Sequence, residues 1–287
     1  MTYGFIGLGD MGGPIAANIA KGGTSLFAFD PAGTEARAPG GAQCCQSVPD
    51  AAQQANVLFV CVPDGNASKD VLQQIVAADN RRTHTVIDLS TTGVEHAKEV
   101  GALAADHDIQ YIDSPVSGGR AGAKAGTITV IWGGPLAVLQ ANRAVIDSMS
   151  GNVFHVGNHA GQGQAMKLLN NFLSATAMAA TSEAILYGES QGLDMKTMLD
   201  VVNVSTGQNT ATSDKFKNRV LTESFDAGFR TRLMRKDVRL FNQSVASAGT
   251  PNRVTSLVDG IWDELEEARP DSDFTEIYLH LRERLKQ

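Results

Sequence analysis

Gly4-Phe5-Ile6-Gly7-Leu8-Gly9-Asp10-Met11-Gly12-Gly13 places Gly7, Gly9 and Gly12 at G-x-G-x-x-G spacing, after a short apolar strand and before a helical run. In that setting the first glycine lets the chain turn tightly and the second lets backbone come close to a pyrophosphate. The third lets helix pack on strand, so a diphosphate rests on a helix N-terminus. A dinucleotide is therefore the expected ligand, touched by Gly7, Leu8, Gly9, Asp10, Met11 and Gly12. Ser25-Leu26-Phe27-Ala28-Phe29-Asp30 then reads as a second strand ending in a carboxylate, which is where a ribose partner belongs. Asp30 would accept from both ribose hydroxyls and repel a 2′-phosphate, so NAD is expected and NADP is less favoured. Arg37 is expected to lie in solvent rather than on a phosphate.

Outward from this motif, the first half alternates short apolar runs with helical patterns, as parallel strands joined by crossover helices do. Strands are expected at Tyr3–Ile6, Ser25–Phe29, Val57–Val62, Thr85–Asp88, Gln110–Asp113 and Thr127–Trp132. Ligands gather beyond the carboxyl ends of such strands, so Val62 and Pro63 after one and Thr91 after another are further cofactor candidates. From Gln164 to Gln191 the pattern is helical, with Met166, Leu169, Phe172, Leu173, Met178, Ile185 and Leu186 at helical spacing. Such a helix spans roughly 40 Å, more than one domain needs. Its small-residue middle, Ser174 to Thr181, suits close approach by another helix. Later helices are expected at Leu193–Val204, Asp214–Leu221, Met234–Ala248, Arg253–Ala268 and Asp273–Lys286. The fold class is thus an α/β Rossmann-like N-terminal domain, 1–163, plus an all-α C-terminal domain, 164–287, joined by a long interdomain helix at 164–191.

With 287 residues, 43% hydrophobic and 19% charged, the chain is long enough for two cores. A net charge of -7 weighs against nucleic acid and anionic membranes as partners. The most apolar stretch, Leu168 to Tyr187, is interrupted by Asn170, Asn171 and Glu183 and does not read as a membrane span. Cys44, Cys45 and Cys61 lack metal-ligand spacing, and the six histidines are scattered, so reduced thiols and no metal are expected. With no signal sequence before the first strand, a cytoplasmic location is expected.

Four segments in order resemble the β-hydroxyacid dehydrogenase family, typified by 3-hydroxyisobutyrate dehydrogenase. They are the glycine fingerprint, Asp113-Ser114-Pro115-Val116-Ser117-Gly118-Gly119, the run Gly157 to Asn171, and Gly228-Phe229 followed by Lys236-Asp237. The resemblance covers nearly the whole chain. It implies that Lys167 is the catalytic acid/base, that Ser117, Gly118 and Gly119 bind substrate, and that Lys236 reaches the active site beside cofactor and substrate. Asn171 falls four residues after Lys167, on the same helix face, and is expected to bind substrate. Ser117 to Gly119 also offers a hydroxyl and consecutive N–H groups suited to gripping a carboxylate. Oxidation of an alcohol needs a group to take the hydroxyl proton as hydride leaves. A lysine must be deprotonated first, so oxidation is expected to speed up as pH rises. Arg120 departs from the family's usual pattern and is expected to favour solvent over an acidic substrate.

The implied function is NAD-dependent hydride transfer with a small β-hydroxy acid held between the domains, in a homodimer or homotetramer. A semialdehyde reductase acting on tartronate, succinic or a sulfonated semialdehyde with NAD(P)H is the alternative. An imine reductase and a non-catalytic NAD sensor are disfavoured by Lys167, and a decarboxylating sugar-acid dehydrogenase by the short helical part.

Overall fold

The structure is a computed structural model that describes residues 1–285. Its contacts divide the chain into two compact units, Met1–Lys167 and Leu168–Gln287.

The first unit is built on a nine-stranded sheet. In chain order the strands are β1 (Tyr3–Ile6), β2 (Leu26–Phe29), β3 (Gln43–Cys44), β4 (Val57–Val60), β5 (Thr85–Asp88), β6 (Gln110–Asp113), β7 (Val116–Ser117), β8 (Ile128–Gly133) and β9 (Ser150–Gly157). They lie in the order β3-β2-β1-β4-β5-β6-β8-β7, with β9 beside β8. Strands β1 to β6 run parallel, and β8 is antiparallel to both β6 and β7. The order reverses between β1 and β4, and the crevice beyond their carboxyl ends is where a doubly wound sheet binds dinucleotides.

Alternating residues explain why the central strands are apolar at every position. Phe5, Phe59, Ile87 and Ile112 enter one core with Ile15, Ile19 and Trp132, while Leu58, Val60 and Val86 enter a second with Leu72, Ile75 and Val100. Helices on both faces bury both sets of side chains, as a parallel sheet requires. Ser47 and Asp64 cap Val48–Gln54 and Gly65–Val76, each accepting a backbone N–H of the first turn.

The second unit is helical. Its elements after the long helix Gln162–Ser190 are Met195–Val202, a π-helix at Ala211–Val220, Thr231–Ser247, Arg253–Ala268, a 3₁₀ turn at Phe274–Glu276 and Ile277–Arg284. Met178, Ile185, Phe216, Val238, Trp262, Leu265 and Ile277 form its core.

Several boundaries differ from expectation for local reasons. Strand β4 stops at Val60 because the Val62 N–H turns to the Ser90 hydroxyl at 2.9 Å. The expected helix Asp214–Leu221 is π-wound and starts at Ala211. The last helix begins as a 3₁₀ turn in which the Asp273 side chain accepts from the Thr275 N–H, and Lys286 lies outside the described residues. Strands β3, β7 and β9 were not expected at all.

Candidate active site

Strand β1 hands over to the fingerprint at Gly7, whose φ of +92° favours glycine. A Cβ there would lie 2.2 Å from the Cys61 carbonyl oxygen, and one at Gly12 would lie 1.9 Å from that of Gly7. Packing within the chain therefore demands both residues. Gly9 is different: a Cβ on it would meet no protein atom within 4 Å. Its bare backbone leaves an open cradle, which is what a pyrophosphate needs there.

Asp30, at the end of β2, is buried. Its Oδ2 accepts from the Leu8 N–H at 2.6 Å and its Oδ1 from the Ala32 N–H at 2.8 Å. One bond to each oxygen leaves lone pairs for ribose hydroxyls. A cavity of about 350 Å³, lined by Phe29, Gly33, Thr34, Cys44 and Cys45, adjoins this strand end and can receive the adenosine side. Arg37 is exposed, as expected, and its guanidinium lies 3.7 Å from Asp30 Oδ2. Pro63 is exposed and Val62 and Thr91 are half-buried; the Val62–Ser90 bond ties their two loops together.

A buried polar brace holds the start of the long helix. Gln164 is fully buried, and its Oε1 accepts from the N–H groups of Thr92 and Gly93 at 2.9 and 3.2 Å. Its Nε2 donates to the Ser90 carbonyl at 2.9 Å and to Asp113 Oδ1 at 2.8 Å. Asp113 Oδ2 in turn accepts from the N–H groups of Gly161 and Gln164, both at 2.9 Å, at the start of the long helix. Anion and helix N-terminus suit each other. Burial nevertheless pushes the Asp113 carboxyl up to about 6, against the pull of these bonds. Asp88, also fully buried, accepts from Ser68, from the Tyr111 hydroxyl and from the Ser90 N–H, so the loop carrying Thr91 is held from both ends. Burial raises its carboxyl too.

Lys167 is three residues beyond Gln164 and buried. The helix start is pressed against the Asp113–Gly119 segment, since a Cβ at Gly163 would lie 2.5 Å from the Asp113 carbonyl oxygen and 3.0 Å from Pro115 Cδ. In that segment Ser117 ends β7, and Gly118 and Gly119 take φ of +128° and +61°. Arg120 is exposed, as expected, and its guanidinium lies 3.5 Å from Asp10 of the fingerprint. Both side chains are more than a third exposed, so the pair adds little stability, but it brings these two loops together.

In the second unit Asn171 is buried and donates through Nδ2 to Asp237 Oδ2 at 2.6 Å. The Asp237 carboxylate also lies 3.6 Å from Lys236 Nζ. A carboxylate only accepts, so it fixes which way the Asn171 amide faces. Asp237, Gln164 and Asp113 are the residues whose positioning duty sequence reasoning missed. Helical spacing from Lys167 was the one signal for Gln164, and adjacency to Lys236 the one for Asp237.

Comparison with known proteins bears on the fold and the family. Residues 2–157 match a family model described as the NAD binding domain of 6-phosphogluconate dehydrogenase. Residues 161–281 match one described as NAD-binding of NADP-dependent 3-hydroxyisobutyrate dehydrogenase. A probable 3-hydroxyisobutyrate dehydrogenase of Mycobacterium bovis is 34% identical, covering 99% of this chain and 98% of its own. The chain belongs to the 3-hydroxyisobutyrate dehydrogenase family of β-hydroxyacid dehydrogenases. An NAD-dependent L-serine dehydrogenase of Pseudomonas aeruginosa is 33% identical, over 88% of each chain. The solved Mycobacterium tuberculosis 3-hydroxyisobutyrate dehydrogenase with L-serine is similar at a TM-score of 0.89 and 33% identity, covering 98% of this chain and 99% of its own. This family member is accordingly an NAD(P)-dependent oxidoreductase of hydroxy acids. No helix among the described residues is long and apolar enough to cross a membrane. Among the same residues no group of three or more His, Cys, Asp or Glu is placed to hold a metal ion.

Proposed function

We propose that this chain oxidises the primary alcohol of a small β-hydroxy acid with NAD, using Lys167 as the proton carrier. The observation that carries the reading is a buried lysine one helical turn from the Gln164–Asp113 brace. A lysine on a helix ordinarily keeps its ammonium in water, and burial one turn beyond a buried brace is the exception that chemistry requires.

Bound nicotinamide supplies the hydride acceptor in oxidation and the donor in reduction. Gly7, Gly9 and Gly12 hold the diphosphate, with Leu8, Asp10 and Met11 around it, and Asp30 holds the ribose. Val62, Pro63, Thr91 and Lys236 complete the cofactor contacts. Ser117, Gly118 and Gly119 grip the substrate carboxylate, and Asn171 orients the reacting oxygen. As hydride leaves the substrate carbon, the hydroxyl proton passes to Lys167 Nζ; in reduction the same proton returns to the nascent alkoxide. The Arg37 guanidinium beside Asp30 also gives NADP a phosphate partner, as the less preferred cofactor.

3-Hydroxyisobutyrate and L-serine, named for the relatives above, share a CH₂OH group β to a carboxylate and differ at the carbon between. The substrate class proposed here is that shared element. Residues 1–163 serve the cofactor and 164–287 substrate and assembly, in the cytoplasm. Initial rates with NAD and NADP across 3-hydroxyisobutyrate, L-serine, glycerate, threonate, 3-hydroxypropionate, 4-hydroxybutyrate and sulfolactate test the reading. Turnover of at least one β-hydroxy acid, lost in Lys167→Ala with NADH binding retained, is expected. NADH binding with no turnover of any of them, or a Lys167→Ala enzyme as fast as wild type, ends it.

A further inference from the structure

Arg120 stands on a short helix that is fastened beside the fingerprint helix. The two helices are Gly119–Ala125 and Gly12–Lys21. Asn18 Nδ2 of the fingerprint helix donates to the Ala123 carbonyl at 2.7 Å, and the fully buried Ala123 side chain shares one core with Ile15 and Ile19. Arg120 lies three residues before Ala123, about one turn nearer the start of its helix. Its backbone is therefore anchored to the same helix whose entry carries Gly9 and Asp10.

From this anchored base the guanidinium reaches to 3.5 Å from Asp10 Oδ1. At that distance the two form an ion pair rather than a hydrogen bond, which leaves the N–H donors of the guanidinium for another acceptor. Asp10 directly follows Gly9, the glycine on which a Cβ would meet no protein atom within 4 Å. The fingerprint spacing leaves the position after its second glycine open to any residue. A carboxylate there opposes the charge of a diphosphate, and Arg120 is the cation that meets it.

Given the placement of the diphosphate at Gly9 proposed above, on which this rests, we propose that Arg120 is a further cofactor-binding residue, whose guanidinium takes the diphosphate of the dinucleotide. The planar fork of a guanidinium suits phosphate oxygens and adds charged donors to the backbone N–H groups at the start of the fingerprint helix. Asp10 is then a steering group. Its charge draws Arg120 to the cradle and is neutralised there. If Arg120 served only to neutralise Asp10, its effect on cofactor affinity would pass entirely through that carboxylate, and a double-mutant cycle separates the two roles.

Calorimetric titration of the full chain with ADP-ribose, which carries the diphosphate without the nicotinamide, tests this apart from any turnover. Arg120→Ala is expected to raise the Kd roughly tenfold or more, and Arg120→Lys, a point charge without the fork, to recover part of that loss. Asp10→Asn removes the repulsion, and in that background Arg120→Ala is still expected to weaken binding by roughly tenfold. Both side chains are exposed, so each variant is expected to fold, which circular dichroism checks. An unchanged Kd in Arg120→Ala overturns the role of Arg120 while leaving the diphosphate at Gly9. A loss that disappears in the Asp10→Asn background makes Arg120 a counter-ion of Asp10 alone and overturns it as well. A wild type that does not bind ADP-ribose overturns both the role of Arg120 and the placement of the diphosphate.

Discussion

Gln164 Nε2 donates to Asp113 Oδ1 at 2.8 Å, and this bond fixes the amide of Gln164 in one orientation. The other end of that amide faces two N–H donors, Thr92 and Gly93, so Oε1 cannot trade places with Nε2. Asp113 must then accept on both oxygens, since its Oδ2 already takes two backbone N–H groups at the helix start. Three parts of the site, the Ser90–Gly93 loop, the head of the Asp113–Gly119 segment and the start of the helix that carries Lys167 in its second turn, share one buried polar cluster.

Gln164→Glu replaces the donor that faces Asp113 and the Ser90 carbonyl with an acceptor, and sets two carboxylates against each other in a buried place. Leaving buried groups unsatisfied costs about 1–3 kcal/mol. A fall in Tm of several degrees is expected, with kcat down by roughly tenfold or more. Gln164→Glu that retains both wild-type Tm and wild-type kcat would show that the brace does not position Lys167.

Asp113 gives the brace a pH signature. Its carboxyl lies near 6 in the fold against an ordinary value of 3.8, so the folded chain binds this proton more tightly than the unfolded chain. Stability contributed by this group is therefore full below about 4, falls as pH rises to about 6, and is level above. Asp113→Asn lowers stability at every pH by disrupting the brace, but it also abolishes that slope. The Tm gap between wild type and Asp113→Asn is expected to narrow from pH 4 to pH 6; a gap that widens over that interval contradicts the raised value.

How far the sequence could be read depended on whether the deciding partner was local. Tyr3–Ile6, Thr85–Asp88 and Gln110–Asp113 were legible to the residue because their apolar residues are buried and a glycine or an aspartate closes each run. Gln43–Cys44 and Val116–Ser117 are two residues long, too short for any periodicity. Ser150–Gly157 escaped notice because it is largely exposed and mixes Ser150, Gly151, Asn152 and His155 among its apolar residues. The fingerprint glycines and Asp30 were legible because spacing alone defines them. Gln164 and Asp237 were not, because their partners lie more than sixty residues away in sequence: Ser90 and Thr92 for the first, Asn171 for the second.

The fingerprint glycines should separate under substitution. Gly7→Ala drives a methyl into the Cys61 carbonyl at 2.2 Å with φ at +92°, so the folded state is expected to lose about 1–3 kcal/mol or more. Gly9→Ala meets no protein atom within 4 Å and is expected to leave Tm unchanged while raising the Kd for NADH roughly tenfold or more by keeping the diphosphate away. Thermal unfolding without cofactor, paired with NADH titration, checks both. Equal NADH affinity in Gly9→Ala and wild type would place the diphosphate elsewhere.

Cofactor choice should turn on Asp30 and Arg37, 3.7 Å apart. With the carboxylate in place, a 2′-phosphate would meet a negative charge, and the guanidinium is engaged by its neighbour. Asp30→Ser removes the repulsion and releases Arg37 to pair with phosphate, while the ribose loses a strong acceptor. NADP use is therefore expected to rise and NAD use to fall, moving the ratio of kcat/KM values toward NADP by roughly tenfold or more, which is about 1.4 kcal/mol of discrimination. The change also strips the Leu8 N–H of its acceptor at 2.6 Å, so some loss of Tm accompanies it. Asp30→Ser/Arg37→Ala separates the two effects: it keeps the lost repulsion but lacks the phosphate partner, so its NADP gain should be smaller. If both variants shift the ratio equally, Arg37 takes no part in phosphate binding and carboxylate repulsion alone sets the preference.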